Sequence, residues 1–124
     1  MNDNDLGYLT IAEASAGLRR KQFSAIELTD ACLDRIDALD GKLHSFITLT
    51  ADLALEQARQ AEKELRSGTD RGPLHGIPIA LKDLYATKNI RTTCHSAVLE
   101  NWLPDHDATT VAKLREAGTI LLGK

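Results

Sequence analysis

Aromatic side chains make up only 4% of the 124 residues, so a core has to be assembled mainly from Leu, Ile, Val and Ala. Cysteine is also scarce. Cys32 and Cys94 lie far apart and neither belongs to a C-x-x-C pair, which argues against a disulfide framework or a cysteine-built zinc module. No apolar run approaches the roughly 18 residues needed to span a bilayer. The opening MNDNDLGYLT has neither the positive segment nor the apolar segment of a secretory signal. The expectation is a cytoplasmic protein without a membrane partner. A surplus of one charge is missing too: 15 basic and 18 acidic side chains leave a formal charge of −3. The longest basic block is Arg19-Arg20-Lys21, so electrostatics give no case for nucleic acid.

With 43% hydrophobic and 27% charged residues, the composition is that of one globular domain. Residues 1–9 read as a polar, loosely held leader, 10–68 as helical, and 73–124 as the start of an α/β sheet core. Thr10-Ile-Ala-Glu13 is a capping-box pattern opening a helix to about Gln22, and Ser24-Ala-Ile-Glu27 repeats it. In the second helix Leu28, Ala31, Cys32, Ile36 and Leu39 fall on one face, with Gly41 as a left-handed stop. Cys32 is thus expected as a buried free thiol. A short extended piece, Ser45 to Leu49, precedes a third helix over about Ala51 to Arg66. Its narrow apolar face holds Ala51, Ala54, Leu55, Ala58, Ala61 and Leu65, and Gln57 is among the residues looking outward. Ser67 to Gly72 is expected to be an exposed connection.

From Pro73 the pattern changes. Ile77 to Leu81 predicts a strand, Asp107 to Gly118 a capped helix closing on glycine, and Thr119 to Leu122 a second strand. That order describes a right-handed parallel βαβ unit, which puts the chain in the α/β class. Two parallel strands leave faces and outer edges uncovered, so the sheet is expected to be incomplete.

Several candidate sites compete. Gly118-Thr-Ile-Leu-Leu-Gly123-Lys124 matches the beginning of a phosphate-binding P-loop. Context argues against it, because the strand should precede the first glycine and a polar turn should separate the two. His44, His75, His95 and His106 lack the helical i, i+4 spacing of metal ligands, and surface or loop roles are expected for all four. Cys94-His95 is by itself a weak pointer to a thiol nucleophile. Lys82 is more constrained. Strand alternation puts Ile77, Ile79 and Leu81 on one face and Pro78, Ala80 and Lys82 on the other, leaving the amine at the carboxyl end of a parallel strand, where α/β proteins place ligands. Partly apolar surroundings would disfavour its charged form and bring it towards a useful base. The pattern alone equally describes a lysine that only marks the strand's exit, its stem buried and its head in water. Asp83, the next residue, should point away from it.

The runs 72-GPLHGIPIALKDL-84, 91-RTTCHSAVLENW-102 and 104-PDHDATTVAKLREAGTILLGK-124, in this order, resemble the amidase signature family. The resemblance implies a large mixed α/β sheet wrapped by helices and a Ser–cis-Ser–Lys triad that hydrolyses amide bonds without metal or cofactor. It assigns the triad lysine to Lys82. Both serines belong to a Gly/Ser-rich block that Ser15, Ser24, Ser45, Ser67 and Ser96 do not form. The chain therefore resembles an amino-terminal piece of a family member, expected to be inactive alone, with a small amide as substrate of the whole enzyme. The 91–102 and 104–118 blocks are also similar to the A subunit of tRNA-dependent amidotransferases, which would bring partner proteins. A third possibility is a non-catalytic interaction module.

Overall fold

In the computed structural model, which describes residues 6–124, three helices lead into a short parallel sheet crossed by a fourth. α1 (Ile11–Arg19) and α2 (Ala25–Leu43) both open on capping boxes. The Thr10 hydroxyl accepts from the Glu13 amide at 3.2 Å while the Glu13 carboxylate accepts from the Thr10 amide at 2.8 Å. Ser24 and Glu27 repeat the exchange at 3.1 and 2.7 Å. Each box satisfies amides that the first turn leaves without helical partners.

α2 does not stop at Gly41, as the sequence reading has it, but continues to Leu43 and turns at His44, which takes the left-handed conformation at φ 51°. Asp40 makes this turn without glycine. Its carbonyl accepts from the His44 amide at 2.8 Å, and its carboxylate accepts from the Ser45 amide at 2.6 Å. The helix thereby runs past its packing partners, and Leu39, expected on the buried stripe, is 42% exposed. Cys32 is half-buried and free, and burial pushes its thiol up.

α3 (Ala51–Arg66) has the expected bounds and buries Ala54, Ala58 and Ala61. Small side chains there let the helix lie close to α2 and the sheet. Two expectations for α3 are corrected. Ala51 is exposed, and Gln57 turns inward, its carbonyl oxygen accepting from the Leu121 amide at 2.8 Å. Turning a polar side chain inward satisfies a buried strand amide that would otherwise lack a partner.

The leader is also corrected. Leu6 is only 6% exposed and belongs to the main core, and the Arg35 guanidinium lies 4.1 Å from the Tyr8 ring centroid. The remainder of the expected leader, 1–5, lies outside the described residues.

The connection after α3 is exposed as its composition implies, yet it is pinned at two points. Arg71 grips the Glu64 carboxylate through two nitrogens at 2.9 and 2.7 Å, and Arg19 grips Asp70 in the same way at 2.9 and 2.7 Å. The Arg71 bond, followed by that from Gln60, holds the Glu64 carboxyl below its ordinary value, and Arg19 with the Gly72 amide does the same for Asp70. A depressed carboxylate contributes stability that is present above its unfolded pKa and lost as pH falls through the folded one. Glu64→Gln is accordingly expected to flatten the fall in melting temperature below about pH 4.3, the ordinary glutamate value. A scan across pH 2–6 that gave parallel curves for variant and wild type would contradict this.

β1 (Pro78–Ala80) and β2 (Ile120–Gly123) pair in parallel, joined through a 3₁₀ turn at Ala97–Leu99 and α4 (Thr109–Glu116). α4 starts later than expected and has no side-chain cap. Asp107 instead accepts from the Lys88 amide at 2.8 Å and from Arg115 at 3.2 Å, so its carboxylate ties a loop rather than a helix end. Ile120 and Leu122 face the main core under α1 to α3, whereas Leu121 meets Leu81 and Val111 in a second, smaller cluster. The common face expected for Ile77, Ile79 and Leu81 is split. Ile77 lies just before the strand and joins the main core, while Ile79 and Leu81 pack with the second cluster.

One of the sheet edges expected to be bare is covered. Residues 47–50 run beside β2 in the antiparallel sense, with the Ile47 and Thr48 amides donating to the Lys124 carbonyl at 2.8 and 3.1 Å. The Thr50 amide donates to Leu122 O at 2.9 Å, and the Lys124 amide returns a bond to Thr48 O at 2.8 Å. The extended piece 45–49 thus finds its backbone partners at the far end of the chain. No helix among the described residues is long and apolar enough to cross a membrane.

Candidate active site

The carboxyl ends of β1 and β2 lie side by side, and the Leu81 amide donating to Gly123 O at 3.0 Å carries the pairing to the very end of both strands. Lys82 is the next residue. A turn follows, closed by the Tyr85 amide donating to Lys82 O at 3.2 Å. Ala80 and Lys82 are both exposed. The partly apolar surroundings that would favour a neutral amine are therefore not provided by these residues, and the exposure of Lys82 is that of a lysine leaving the strand with its head in water.

Asp83 points the other way, as alternation requires, and is buried. Its Oδ2 accepts from the Thr93 amide at 3.0 Å and from the Thr93 hydroxyl at 2.5 Å, and its backbone carbonyl accepts from the Cys94 amide at 2.8 Å. These bonds tie the segment after β1 to the loop ten residues further on.

The desolvated lysine at this end of the sheet is Lys124, only 3% exposed. Its Nζ donates to Tyr85 O at 2.8 Å and to the Thr92 hydroxyl, and it lies 3.7 Å from Asp83 Oδ1. Burial pulls this amine below the usual lysine value, and the Asp83 carboxylate opposes that shift. Removing an ammonium from water is costly unless hydrogen bonds and an opposite charge replace the lost hydration, and this pocket supplies both. Asp83 Oδ1 has no hydrogen bond of its own, so its contact with Lys124 is electrostatic.

The remaining candidates are explained by packing. Gly118 has φ 79°, and a Cβ on it would run into the His75 ring. Gly123 sits in β2 with Thr48 O only 2.5 Å from where its Cβ would be, and Lys124 turns into the protein. All three landmarks of the P-loop-like run are thus occupied structurally.

His75 lies in the turn before β1, as the surface-or-loop expectation allows, but it is buried rather than exposed. It is 1% exposed; Nδ1 accepts from the Arg71 amide at 3.1 Å, which leaves the ring proton on Nε2, 2.9 Å from Glu64 Oε2 but not aligned for a hydrogen bond. His44, His95 and His106 are exposed, and the described residues contain no group of three metal-ligating side chains. Cys94 and His95 are consecutive left-handed residues at φ 50° and 53° and form an exposed turn after Thr93. Ser24 caps α2, Ser67 follows α3 and Ser96 caps the 3₁₀ turn, where its hydroxyl accepts from the Val98 amide at 3.3 Å. Sequence reasoning missed Lys124, Thr92 and Thr93. The one signal for them was a lysine closing an otherwise wholly apolar strand.

The chain matches the amidase family profile over residues 27–124. It is 43% identical over 120 residues to the A subunit of the glutamyl-tRNA(Gln) amidotransferase of Carboxydothermus hydrogenoformans, covering 97% of this chain and 25% of that protein. With the corresponding protein of Methylococcus capsulatus it shares 50% identity over 115 residues, covering 93% and 24%. Among solved structures, the native peptide amidase of Stenotrophomonas maltophilia superposes with a TM-score of 0.91 at 38% identity, over 98% of this chain and 25% of that one. The chain thus spans about a quarter of the length of the relatives it matches. With the profile covering most of its residues, it belongs to the amidase family.

Proposed function

We propose that these residues form the amino-terminal part of an amide-bond hydrolase in which Lys82 is the proton acceptor. The observation that carries this reading is the place of Lys82: the first residue past paired parallel strands, exposed, with its neighbours on both sides tied down. In the proposed reaction the neutral amine takes a proton from a bridging serine, which takes one from a nucleophilic serine. That oxygen attacks the amide carbon, the C–N bond breaks as ammonia leaves with a proton returned along the same relay, and water then releases the acid. Neither serine is supplied by Ser15, Ser24, Ser45, Ser67 or Ser96, so both come from sequence outside these residues, and the 124-residue chain alone is inert.

A second reading is favoured by the amidotransferase relatives, which are 43 and 50% identical, against 38% for the peptide amidase. In it the same chemistry acts on glutamine and hands the ammonia to partner proteins. Ammonia release by the full-length protein separates the two, with an amidated dipeptide and free glutamine as probes. Turnover of the dipeptide without partners supports the hydrolase. Glutamine turnover that requires co-purifying partners and charged tRNA supports the amidotransferase. Turnover of neither under any of these conditions would sink both.

A further inference from the structure

We infer that Lys124 and Asp83 act as a positioning pair for Lys82, fixing the backbone turn from which its amine projects. The inference rests on the reading of Lys82 as proton acceptor. Three ties surround that residue. On its amino side, the Leu81 amide is held by Gly123 O at 3.0 Å. On its carboxyl side, Asp83 is held by the Thr93 amide and hydroxyl, and Tyr85 O is held by the Lys124 ammonium at 2.8 Å. Lys124 also bonds the Thr92 hydroxyl and lies beside Asp83 Oδ1, so one buried cation gathers the segments 83–85 and 92–93.

Stability alone does not account for this arrangement. A buried ion pair is often no more stabilising than apolar side chains of the same volume, and β2, which Lys124 directly follows, carries no polar side chain. What charge adds is direction: an ammonium with two oxygen acceptors and a carboxylate neighbour permits few placements of the chain that carries them. A proton acceptor needs that definition, because a displacement of about 1 Å in a reacting group can cost on the order of 100-fold in rate.

The test is a cycle of Lys82→Ala, Lys124→Met and the double variant in the full-length enzyme, assayed by ammonia release from whichever of the amidated dipeptide and glutamine the wild type turns over. Lys124→Met is expected to lower kcat by about 10- to 100-fold with KM within about twofold, and to cause no further loss when added to Lys82→Ala. Such non-additivity marks action through Lys82; a merely structural lesion would lower the residual rate of Lys82→Ala as well. Should Lys124→Met fail to fold, Thr92→Val and Thr93→Val take its place in the cycle, with smaller kcat losses and the same non-additivity expected. Full activity of Lys124→Met, or of both threonine variants, beside an inactive Lys82→Ala overturns the positioning role and leaves Lys82 as acceptor. An active Lys82→Ala overturns both, and if Lys124→Met is then inactive, Lys124 is itself the base.

Discussion

Exchange of Lys82 for alanine in the full-length enzyme is expected to lower kcat for amide hydrolysis by about 10²- to 10⁴-fold, the usual contribution of a positioned acid–base group. KM should change little, since the amine is proposed to transfer a proton rather than to hold the substrate. Lys82→Arg should be as inactive as the alanine variant. A guanidinium keeps the positive charge and the reach but does not give up its proton in a protein, so it has no lone pair to offer a serine. This second variant decides between two roles that the alanine variant leaves mixed. Were arginine to restore most of the rate, Lys82 would be acting as a fixed charge and the proton relay would be wrong. Initial-rate kinetics on purified wild type and both variants, with folding checked by circular dichroism, provide the measurement.

The largest effect on stability is expected at Gly123. An alanine Cβ there would stand 2.5 Å from Thr48 O, 2.8 Å from the Phe46 ring and 3.2 Å from Leu49 Cα. Two of these are backbone atoms that cannot rotate away. Relief requires residues 46–49 to shift, and that endangers the four backbone bonds between 47–50 and the end of β2. At about 0.5–1.5 kcal/mol for each lost bond and about 1–3 kcal/mol for overpacking, Gly123→Ala should cost roughly 3 kcal/mol or more. Gly41→Ala is the matched control and should go the other way. Gly41 lies inside α2 with nothing within 4 Å of its Cβ position, so alanine there should stabilise by about 0.5–1 kcal/mol. Thermal melts of the two variants should bracket the wild type. A Gly123→Ala variant melting with the wild type would mean that the 47–50 segment is not held as described.

Local chemistry set what could be read without coordinates. The capping boxes at Thr10 and Ser24, the alanine face of α3 and the apolar runs flanking α4 all depend on residues within a few positions of one another. Helical spacing and hydrogen bonds of short reach therefore betray them. The order of helices, then strand, helix and strand, follows from those local patterns, and the blocks carrying Lys82 are continuous in sequence. Where local signals compete, a single side chain decides: Gly41 has the look of a stop, but Asp40 supplies the turn at His44, three residues beyond it, and Asp107 has the look of a cap but is drawn to Lys88 and Arg115.

Only the tertiary structure could settle the polar interior at the end of the sheet. The sequence argues only that the run ending at Lys124 is not a P-loop, and it leaves open both a half-buried and a solvated amine for Lys82; folding buries Lys124 and leaves Lys82 exposed. The burial of an ammonium depends on acceptors such as Tyr85 O and Thr92, which are 39 and 32 residues away in sequence. The covering of β2 by residues 47–50 and the inward turn of Gln57 to Leu121, 64 residues on, have the same character. A sequence exposes periodicity and near-neighbour hydrogen bonding, because both repeat within a few positions. It does not reveal which distant carbonyl, hydroxyl or carboxylate meets a given charge, and that meeting decides whether a lysine anchors a turn or faces a substrate.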